Sequence, residues 1–533
     1  MSNHKIRSFV TCLIILMVLL PTTGLAVAKA PETIDVQILA VNDFHGALET
    51  SGSTGGAEYL ATYVKNREAT NPNTIFVSGG DLIGASPLLS GLFHDEPTIE
   101  AFNLMGLDFA TVGNHEFDEG VAELKRMQEG GCHPVDGCQD GDPFNGAEFK
   151  YLASNVIQTK NGQTLFSAYK VRSFAGAKVA FIGVALTSTP SIVTASGTAG
   201  VEFEDEADVI NAMVAELKEK DIKTFVVIVH DGVNACSNPS GNNLVNATDP
   251  DIDVFITGHS HSRYQCVVSD RVVVSQAGSS GSYLTDIDLT IDRESGDVIA
   301  RQVENVRINK SGVEKDPDVA ALVSKYKSLS DPLANRVIGS ITADITRSGT
   351  ESALGDVIAD AQLAATSAPE TGGAVVAFMN PGGIRADLTY NLISGGEAPG
   401  EVTYGEAFTV QPFANNMIVM TMSGDQIRRL LEQQYQGCAK LQISNGFSYT
   451  VHTTQPAGSK ISDIQINGVP VDLAVNYRIA TNNFLADGGD GCTVFTEGTE
   501  RIAGIIDLDA LVAYFGANSP VPPGPQDRIM FVP

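Results

Sequence analysis

The chain has 533 residues, more than a single hydrophobic core usually organises, so two or three domains are expected. Its hydrophobic content of 43% is that of a globular protein. The formal net charge of −29 at pH 7 disfavours binding to a nucleic-acid polymer, which requires a basic surface. The same charge means that an anionic substrate would need local cations in order to bind.

The N-terminus predicts export. Lys5 and Arg7 form a basic segment, residues 9–20 form an apolar run, and Ala26–Ala28 is a small-x-small cleavage signal. The apolar run is shorter than the roughly 20 residues of a membrane-spanning helix. We therefore expect residues 1–28 to be a signal peptide, with an uncleaved anchor as the alternative. After cleavage the protein is expected to be secreted or periplasmic, without membrane attachment.

Six cysteines remain after the predicted cleavage, and an even number in an exported chain indicates disulfides. Many connectivities are possible, and nearest-neighbour pairing is the simplest of them. A bond between Cys236 and Cys266 would close a loop of about 30 residues and contribute ~3–4 kcal/mol to stability. Buried free thiols are the alternative. The six are Cys132, Cys138, Cys236, Cys266, Cys438 and Cys492.

From about residue 32 to 305, short apolar runs alternate with helix-compatible segments. Near-continuous apolar character is typical of strands that are covered on both faces. We therefore predict a layered α/β domain over residues 32–305, with helices that include Ala57–Glu68 and Asp205–Glu219. The predicted strands are Val36–Val41, Thr74–Val77, Phe109–Val112, Lys178–Val184, Phe225–Val229, Val254–Thr257 and Val272–Ser275.

The second half predicts a linker and a second domain. Residues 306–337 are expected to connect the domains through a helix over Lys315–Leu333. A smaller α/β domain is predicted over residues 338–525. Apolar residues recur with the spacing of a buried helical stripe near Glu351–Thr366. A further helix is predicted over Ser423–Gln434, with its first residue as the N-cap.

Six polar motifs interrupt the chain in its first half, and most of them follow a predicted strand. Together they supply more Asp, Asn and His side chains than a fold alone needs. Because ligand sites in layered α/β folds lie outside the carboxyl ends of the strands, we expect these side chains to converge at one edge. The motifs are Asn42–Gly46, Gly79–Asp81, Gly113–Asp118, Ser154–Asn155, His230–Gly232 and Gly258–His261.

The motifs contain enough donors for two adjacent divalent metal ions. Such a pair holds a phosphoryl oxygen and an attacking water, which ionises near neutral pH. Mixed His, Asp and Asn ligands favour Zn, Mn, Fe or Co and leave the identity of the metal open. The predicted ligands are Asp43, His45, Asp81 and His261 for one ion, and Asp81, Asn114, His230 and His259 for the other, with Asp81 bridging.

His115 and Asp118 remain as candidate catalytic residues. Asp118 lies three residues after His115, on the predicted first turn of a helix, from which its carboxylate can orient the imidazole. His115 would then stabilise transition-state charge or protonate the leaving oxygen. A single His or Asp is more often structural, but five of the nine histidines fall within the motifs. His94 and His133 lack this context and are expected to be ordinary surface residues.

The motif series resembles that of the calcineurin-like metallophosphoesterases, in which D-x-H, G-D, G-N-H-E/D, H and G-H-x-H occur in this order. The forms at Asn42–Gly46 and Gly113–Asp118 are more specifically similar to those of the 5′-nucleotidases, which include UDP-sugar hydrolase and ecto-5′-nucleotidase. This resemblance implies two packed sheets flanked by helices in the first domain. It also implies hydrolysis of a phosphoester.

The second half resembles the same family independently. Asn380–Arg385 resembles its N-x-G-G-I-R motif, Gln411–Phe413 its [LQ]-P-F motif, and Asn482–Gly491 its N-F-L-A-x-G-G-D-G motif. The resemblance implies that this domain binds the nucleoside, since aromatic faces stack on bases and guanidinium groups match phosphate oxygens. The implied contacts are Phe413 and Phe484 to the base, Arg385 to the phosphate, Asp490 to the ribose hydroxyls, and Asn380 and Asn415 to the nucleoside.

Two positions depart from the family pattern. Several members carry an arginine just before the helix that opens the second domain, whereas Thr350 stands here and Arg347 is the nearest candidate. Cys492 stands where an apolar residue is usual, and pairing with Cys438 would explain it.

The sequence thus predicts an exported two-metal phosphohydrolase that acts on nucleoside 5′-phosphates. Hydrolysis of UDP-sugars or of 2′,3′-cyclic nucleotides would use the same site and stays open as an alternative. A surface nucleotide-binding protein without catalytic activity is a third interpretation. The preferred base and the oligomeric state stay open.

Overall fold

The computed structural model describes residues 32–50, 55–233, 235–241 and 243–533. The predicted signal peptide, residues 1–28, lies outside these residues. Among the described residues, the helices are too short or too polar to cross a lipid bilayer.

The first domain is α/β, with helices on the outer faces of two sheets. Its strands are β1 Thr33–Val41, β2 Thr74–Ser78, β3 Phe109–Thr111, β4 Lys150–Leu152, β5 Val156–Gln158, β6 Tyr169–Phe174, β7 Ala177–Val184, β8 Val201–Phe203, β9 Thr224–Val229, β10 Val254–Thr257, β11 Arg263–Val268, β12 Val272–Ala277, β13 Tyr283–Asp292 and β14 Val298–Arg307. Its helices are α1 Gly56–Glu68, α2 Leu88–Gly91, α3 Glu96–Met105, α4 Val121–Glu129, α5 Thr189–Ile192, α6 Glu206–Glu219 and α7 Leu244–Ala247.

The two sheets share one design. The strand order is β14-β13-β1-β2-β3-β4 in one sheet and β11-β12-β10-β9-β7-β6 in the other. Strands β1 to β4 run parallel, as do β7, β9, β10 and β12, and antiparallel strands complete each sheet. The carboxyl ends of the central strands of each sheet therefore lie at a single edge.

Strand β1 shows why most of its sequence is apolar. Successive side chains of a strand point to opposite faces of the sheet. Val36, Ile38 and Ala40 pack in the core between the two sheets, whereas Leu39 and Val41 pack against the outer helices. Both faces are buried from Val36 to Val41, and apart from Gln37 every residue of that stretch is apolar. The predicted α/β fold with two packed sheets is confirmed.

Helix α8, Pro317–Ala334, occupies most of the predicted linker. Val319, Val323 and Tyr326 join the outer core of the first domain, beside α1 and α3. Asp316 caps the helix, since its carboxylate accepts a hydrogen bond from the backbone N–H of Val319. The connecting helix is thus packed on the first domain rather than suspended between the two domains.

The second domain contains the sheets β19-β16-β23-β18-β24 and β22-β21-β20-β25. Its strands are β15 Val337–Ser340, β16 Val376–Met379, β17 Glu401–Thr403, β18 Asn416–Ser423, β19 Gln442–Ile443, β20 Phe447–His452, β21 Ile461–Ile466, β22 Val469–Pro470, β23 Asn476–Asn482, β24 Thr499–Ile506 and β25 Ile529–Val532. Its helices are α9 Ala353–Thr366, α10 Tyr404–Val410, α11 Gly424–Gln433, α12 Asn483–Ala486 and α13 Asp507–Asn518.

Helix α11 forms as its sequence predicts. The Ser423 side chain accepts a hydrogen bond from the backbone N–H of Gln426, whose own side chain accepts one from the backbone N–H of Ser423. This reciprocal cap satisfies two backbone donors that the first turn leaves free. Ile427, Leu430 and Leu431 lie on one face and are fully buried in the core.

The disulfides follow nearest-neighbour order. The second pair in the chain joins the segment after β9 to β11, with its Cα atoms 5.7 Å apart, and lies close to two of the polar motifs. The third pair ties the end of α11 to the glycine-rich segment after α12, which explains a cysteine at that position. The pairs are Cys132–Cys138, Cys236–Cys266 and Cys438–Cys492.

Candidate active site

The polar motifs meet where the central strands of the two sheets end. Asp43 follows β1, Asp81 follows β2 and Asn114 follows β3. From the second sheet, His230 follows β9 and His259 follows β10. The convergence expected from the sequence is therefore observed, and both sheets contribute to it.

Five of the seven candidate ligands have a left-handed backbone conformation. The φ angles are 48° for Asp43, 49° for His45, 50° for Asp81, 67° for His259 and 52° for His261. Such angles are uncommon for residues other than glycine and cost roughly 1–2 kcal/mol each. Strain of this kind clusters at functional sites, where the surrounding structure enforces it. Here the enforcing structure is the pair of packed sheets.

Asp43, His45 and His261 form one group of donors. The Nε2 atoms of His45 and His261 lie 3.0 Å apart, and His261 Nε2 lies 3.6 Å from Asp43 Oδ1. The same His45 nitrogen is 3.9 Å from Asp81 Oδ2. These distances leave the donor atoms of all four side chains facing a common point.

Asp81, Asn114, His230 and His259 form the second group. His230 Nε2 lies 3.0 Å from Asp81 Oδ2 and 3.2 Å from Asn114 Oδ1. His259 Nδ1 lies 2.9 Å from the same Asn114 oxygen. Asp81 Oδ2 thus faces a histidine of each group, which is the geometry that a bridging carboxylate requires.

The hydrogen bonds of two histidines test whether a metal fits here. The Nδ1 atom of His45 donates to the Gly84 carbonyl at 2.9 Å, and that of His230 donates to the Gly79 carbonyl at 2.8 Å. In their neutral forms both rings therefore present an Nε2 lone pair to the donor groups. A lone pair 3.0 Å from the Asp81 carboxylate is repulsive unless a cation, either a proton on the ring or a metal ion, lies between them. A fixed outer hydrogen bond is also the usual support of a metal-bound histidine.

The charges at the site depend on one another. Burial raises the pKa of Asp43 to about 7, with His230 opposing and Asp81 reinforcing the effect. Burial alone would lower the pKa of His230, but the Asp81 carboxylate raises it to about 10. Burial would also raise the pKa of Asp81, yet His230 and His115 hold it well below its usual range. Fully buried carboxylates therefore depend on a neighbouring cation, which suits a divalent metal ion.

His115 and Asp118 form a pair beside these groups. His115 Nδ1 donates to Asp118 Oδ2 at 2.7 Å. Burial disfavours the charged ring, but Asp118 and Asp81 outweigh it, so the pKa of His115 is raised. The predicted first turn forms as a 3₁₀ turn over His115–Phe117 with Asp118 as its C-cap, and Gly120 with φ 94° separates it from α4.

The Ser154–Asn155 motif does not belong to the site. The Ser154 hydroxyl donates to the Gly183 carbonyl, while the Asn155 amide bonds both the N–H and the carbonyl of Ala185. These bonds join the segment between β4 and β5 to β7. The motif is therefore structural.

A cavity of about 240 Å³ lies between the two domains and opens onto the candidate active site. Asn114, His115, Asp118 and His259 line it from the first domain. The groups from the second domain are those that the sequence resemblance singled out: Asn380, Arg385, Phe413, Asn415, Phe484 and Asp490.

Aromatic rings bring the two domains together in this cavity. The rings of His115 and Phe413 stack at 5.7 Å between centroids with an interplanar angle of 13°. The Arg385 guanidinium lies over the Phe413 ring, with its central carbon 5.7 Å from the ring centroid. Phe484 packs on Gly489, where any Cβ would approach its ring to 2.4 Å. This glycine therefore lets the ring lie flat along the cavity wall.

The polar end of the cavity is held by an amide–carboxylate chain. Asn482 donates to Asn380 Oδ1 at 3.0 Å, and Asn380 in turn donates to Asp490 Oδ2 at 2.9 Å. One oxygen of the Asp490 carboxylate is thus oriented by the protein, and the group lines the cavity. Asn415 is nearly buried, and its backbone carbonyl accepts from the N–H of Asp507.

Two arginines lie close together at the cavity, Arg385 in its lining and Arg347 beside it. Burial lowers the pKa of Arg385, and the carboxylates of Asp118 and Asp81 partly offset this decrease. Arg347 donates to the carbonyl of Ile384, the residue before Arg385, and its positive charge lowers the pKa of Arg385 further. Arg347 therefore lies close enough for the two charges to interact, although Thr350 occupies the usual position of the second arginine.

Family models match both halves of the chain. A model of the calcineurin-like phosphoesterases matches residues 36–263, and a model of the 5′-nucleotidase C-terminal domain matches residues 337–497. The two matched segments separately contain the two sides of the cavity.

A cell wall protein of Listeria monocytogenes, Lmo0130, is 33% identical over 93% of this chain and 68% of its own length. This chain belongs to the 5′-nucleotidase family. The endonuclease YhcR of Bacillus subtilis is 30% identical over 91% of this chain, which spans only 40% of that relative's length.

The two-domain fold of this 5′-nucleotidase family member is also found in a solved structure. The 5′-nucleotidase precursor from Thermus thermophilus is 26% identical and superposes with a TM-score of 0.76. The match covers 93% of this chain and 99% of that one. The family resemblance inferred from the motifs is confirmed.

Two residues of the site carry roles that the sequence did not reveal. The Asn42 amide donates to Asp43 Oδ2 at 2.5 Å and to the Gly278 carbonyl, and accepts from the Ala277 N–H. The Glu116 carboxylate accepts from the backbone N–H groups of two motif residues and of Leu82. Both residues lie inside the polar motifs, so the sequence did single out their segments. Because each is next to or two residues from a predicted ligand in the chain, its supporting role could not be told apart from ligand binding.

Glu116 holds two motif loops together. Its oxygens accept from Asp81 at 3.0 Å, Leu82 at 2.9 Å and Gly113 at 2.6 Å. Burial raises the pKa of Glu116 to about 8, and the Asp81 charge adds to the increase. The side chain thereby fixes the backbone that places Asp81 and Asn114.

We predict that Glu116→Gln weakens metal binding about 10–100-fold, because one backbone N–H loses its acceptor and the Asp81 loop shifts. Titration of the metal-free protein with Zn²⁺ in a competitive chelator measures this. The matched control is Glu129→Gln, at the exposed end of α4, which belongs to none of the candidate metal groups among the described residues. If Glu116→Gln bound its tightest metal ion with the same affinity as the unmodified protein, the supporting role of Glu116 would be contradicted.

Proposed function

We propose that this chain is an exported phosphohydrolase that uses two divalent metal ions to release phosphate from nucleoside 5′-phosphates. The observation that carries the proposal is the shared cavity. His115 and the donor groups lie at one end, while Arg385, Phe413 and Phe484 lie on the facing domain. A phosphate at the donor groups and a base at the aromatic rings would be held in one molecule.

The donor residues would divide between the two proposed ions. Asp43, His45 and His261 would hold one, and Asn114 with the two remaining histidines the other, with Asp81 shared. When bound, such ions polarise the phosphoryl group and lower the pKa of the attacking water. Zn, Mn, Fe and Co all suit these donors. The ions also offset the net charge of −29, which would otherwise repel a phosphate.

His115 is proposed as the general acid. Its Nδ1 proton is committed to Asp118, so its Nε2 proton is available to the oxygen that leaves phosphorus. The raised pKa of His115 keeps the ring charged when it must donate. Hydrolysis would then use water as nucleophile: the oxygen of water bonds to phosphorus and the bond from phosphorus to the nucleoside oxygen breaks. The nucleoside oxygen takes the His115 proton, and the proton that water loses restores the charged ring.

The groups that line the cavity favour a mononucleotide. Arg385, Phe413, Phe484 and Asp490 would match one phosphate, one base and one ribose. A UDP-sugar is larger than a nucleoside monophosphate, and the acidic surface disfavours a polymer of the kind that an endonuclease cuts. UDP-sugar hydrolysis and cyclic phosphodiesterase activity are therefore the weaker candidates, and binding without turnover is weaker still.

We predict that removal of the metals abolishes phosphate release from AMP and that Mn²⁺ or Zn²⁺ restores it. The assay compares AMP, UDP-glucose and 2′,3′-cyclic AMP at equal concentration. AMP should be hydrolysed with the highest kcat/KM. Turnover that survives complete chelation would disprove metal dependence, and faster hydrolysis of UDP-glucose would transfer the assignment to that substrate. Tight AMP binding without turnover in metal-loaded protein would favour a binding protein.

His115→Ala should lower kcat for AMP by about 10²–10⁴, because the leaving oxygen loses its proton donor. Asp118→Asn keeps the ring but removes the charge that raises the pKa of His115. The alkaline limb of the kcat profile should therefore move to lower pH in this variant. An unchanged rate in His115→Ala, with metal content intact, would remove this residue from the mechanism.

Phe413→Ala and Phe484→Ala test the nucleoside assignment. Loss of one stacking face costs about 1–3 kcal/mol, which is roughly a 5–150-fold increase in KM for AMP. Ribose 5-phosphate, which carries the phosphate but no base, serves as the matched substrate. Its hydrolysis should change little in either variant. A similar loss for both substrates would show that the rings do not recognise the base.

A further inference from the structure

A second histidine cluster lies outside the candidate active site. The rings of His94 and His133 stack at 3.7 Å between centroids, with an interplanar angle of 17°. Their side chains are only 17% and 14% exposed. The interpretation of these two as ordinary surface residues is therefore wrong. Nothing in their local sequence relates them, because 39 residues separate them and only the tertiary fold brings them together.

Two carboxylates face the stacked rings. Glu119 Oε2 lies 2.9 Å from His94 Nδ1. Asp136 Oδ2 lies 2.9 Å from His94 Nε2 and 3.2 Å from His133 Nδ1. One nitrogen of each histidine and one oxygen of Glu119 lie within 4.8 Å of one another. This spread is small enough for side-chain rotation to bring the three atoms around one ion.

The four residues are held by separate parts of the scaffold. His94 stands between α2 and α3, in a left-handed conformation with φ 51°. Glu119 precedes α4. His133 and Asp136 belong to a loop whose ends are joined by the Cys132–Cys138 disulfide. Because this bond closes a short loop, the positions of its two donors are restricted before any ligand binds.

We propose that His94, His133 and Glu119, with Asp136 beside them, form a separate site for a divalent transition metal such as Zn²⁺. Two imidazoles and a carboxylate are a common zinc ligand set, and a fourth position would remain for Asp136 or water. Two nitrogen donors disfavour Mg²⁺ and Ca²⁺, which prefer oxygen ligands. The competing arrangement is a metal-free ion pair, in which a protonated His94 lies between Glu119 and Asp136.

The site is adjacent in the chain to residues that support catalysis. Glu119 follows Asp118, the partner of His115. His94 precedes Asp95, whose carboxylate accepts from the Gly84 N–H at 2.9 Å. A metal ion here would therefore join the start of α3, the turn after His115 and the disulfide-closed loop.

Metal stoichiometry tests the proposal. The metal-free protein is dialysed against Zn²⁺ at a buffered free concentration, and bound zinc per chain is measured by mass spectrometry. We expect His94→Asn and His133→Asn each to bind one equivalent less than the unmodified protein. The matched control is His452→Asn, since His452 contacts Ser462 on the second domain and belongs to none of the candidate metal groups among the described residues. It should bind as much zinc as the unmodified protein.

The difference between variant and unmodified protein is independent of the catalytic centre. If the candidate active site did not bind metal, both the unmodified protein and the variants would contain less zinc. The unmodified protein would still bind one equivalent more than His94→Asn or His133→Asn. Circular dichroism confirms folding, and Glu119→Gln provides a second variant, whose exposed side chain can be replaced without disturbing the core. Identical zinc content in all three variants and the unmodified protein would overturn the proposal and leave the metal-free ion pair.

Discussion

The burial of acidic groups and histidines at one edge of two packed sheets is the constraint on which the rest of the structure depends. Asp43, Asp81 and His230 are at most 1% exposed, so their charges cannot be solvated by water. Buried charges persist in proteins only when they are paired or bind a metal. The site is stable because Asn42 and Glu116 fix the surrounding loops, and because both sheets hold strained backbone in place.

In the proposed function, the second domain gives this edge its chemical selectivity. Metal donors on their own specify only the handling of a phosphoester. The rings of Phe413 and Phe484, the guanidinium of Arg385 and the oriented carboxylate of Asp490 add features that match a nucleoside. They act only because the connecting helix packs on the first domain and the cavity forms between the two. Selectivity is therefore a property of the domain arrangement rather than of either domain.

Much of the fold follows from sequence pattern where both faces of an element are buried. Strand β10, Val254–Thr257, has the bounds that were predicted for it. Strand β1 begins three residues earlier than its predicted start at Val36. The antiparallel edge strands β11 and β14 were not predicted, because their exposed faces carry polar residues that blur the strand pattern. The predicted first turn at His115–Phe117 forms as a short 3₁₀ turn, and the backbone conformation of Gly120 separates it from α4.

The sequence alone determined the donor types, their order, the motifs proposed to bind a nucleoside and the family that they indicate. Those features are local, since each motif is a few residues long and its residue types are set by what they bind. Only the tertiary structure decided which residues support the ligands, as with Glu116, and which distant side chains meet, as with His94 and His133. Such contacts depend on the relative placement of whole strands and loops, and no local pattern encodes that placement.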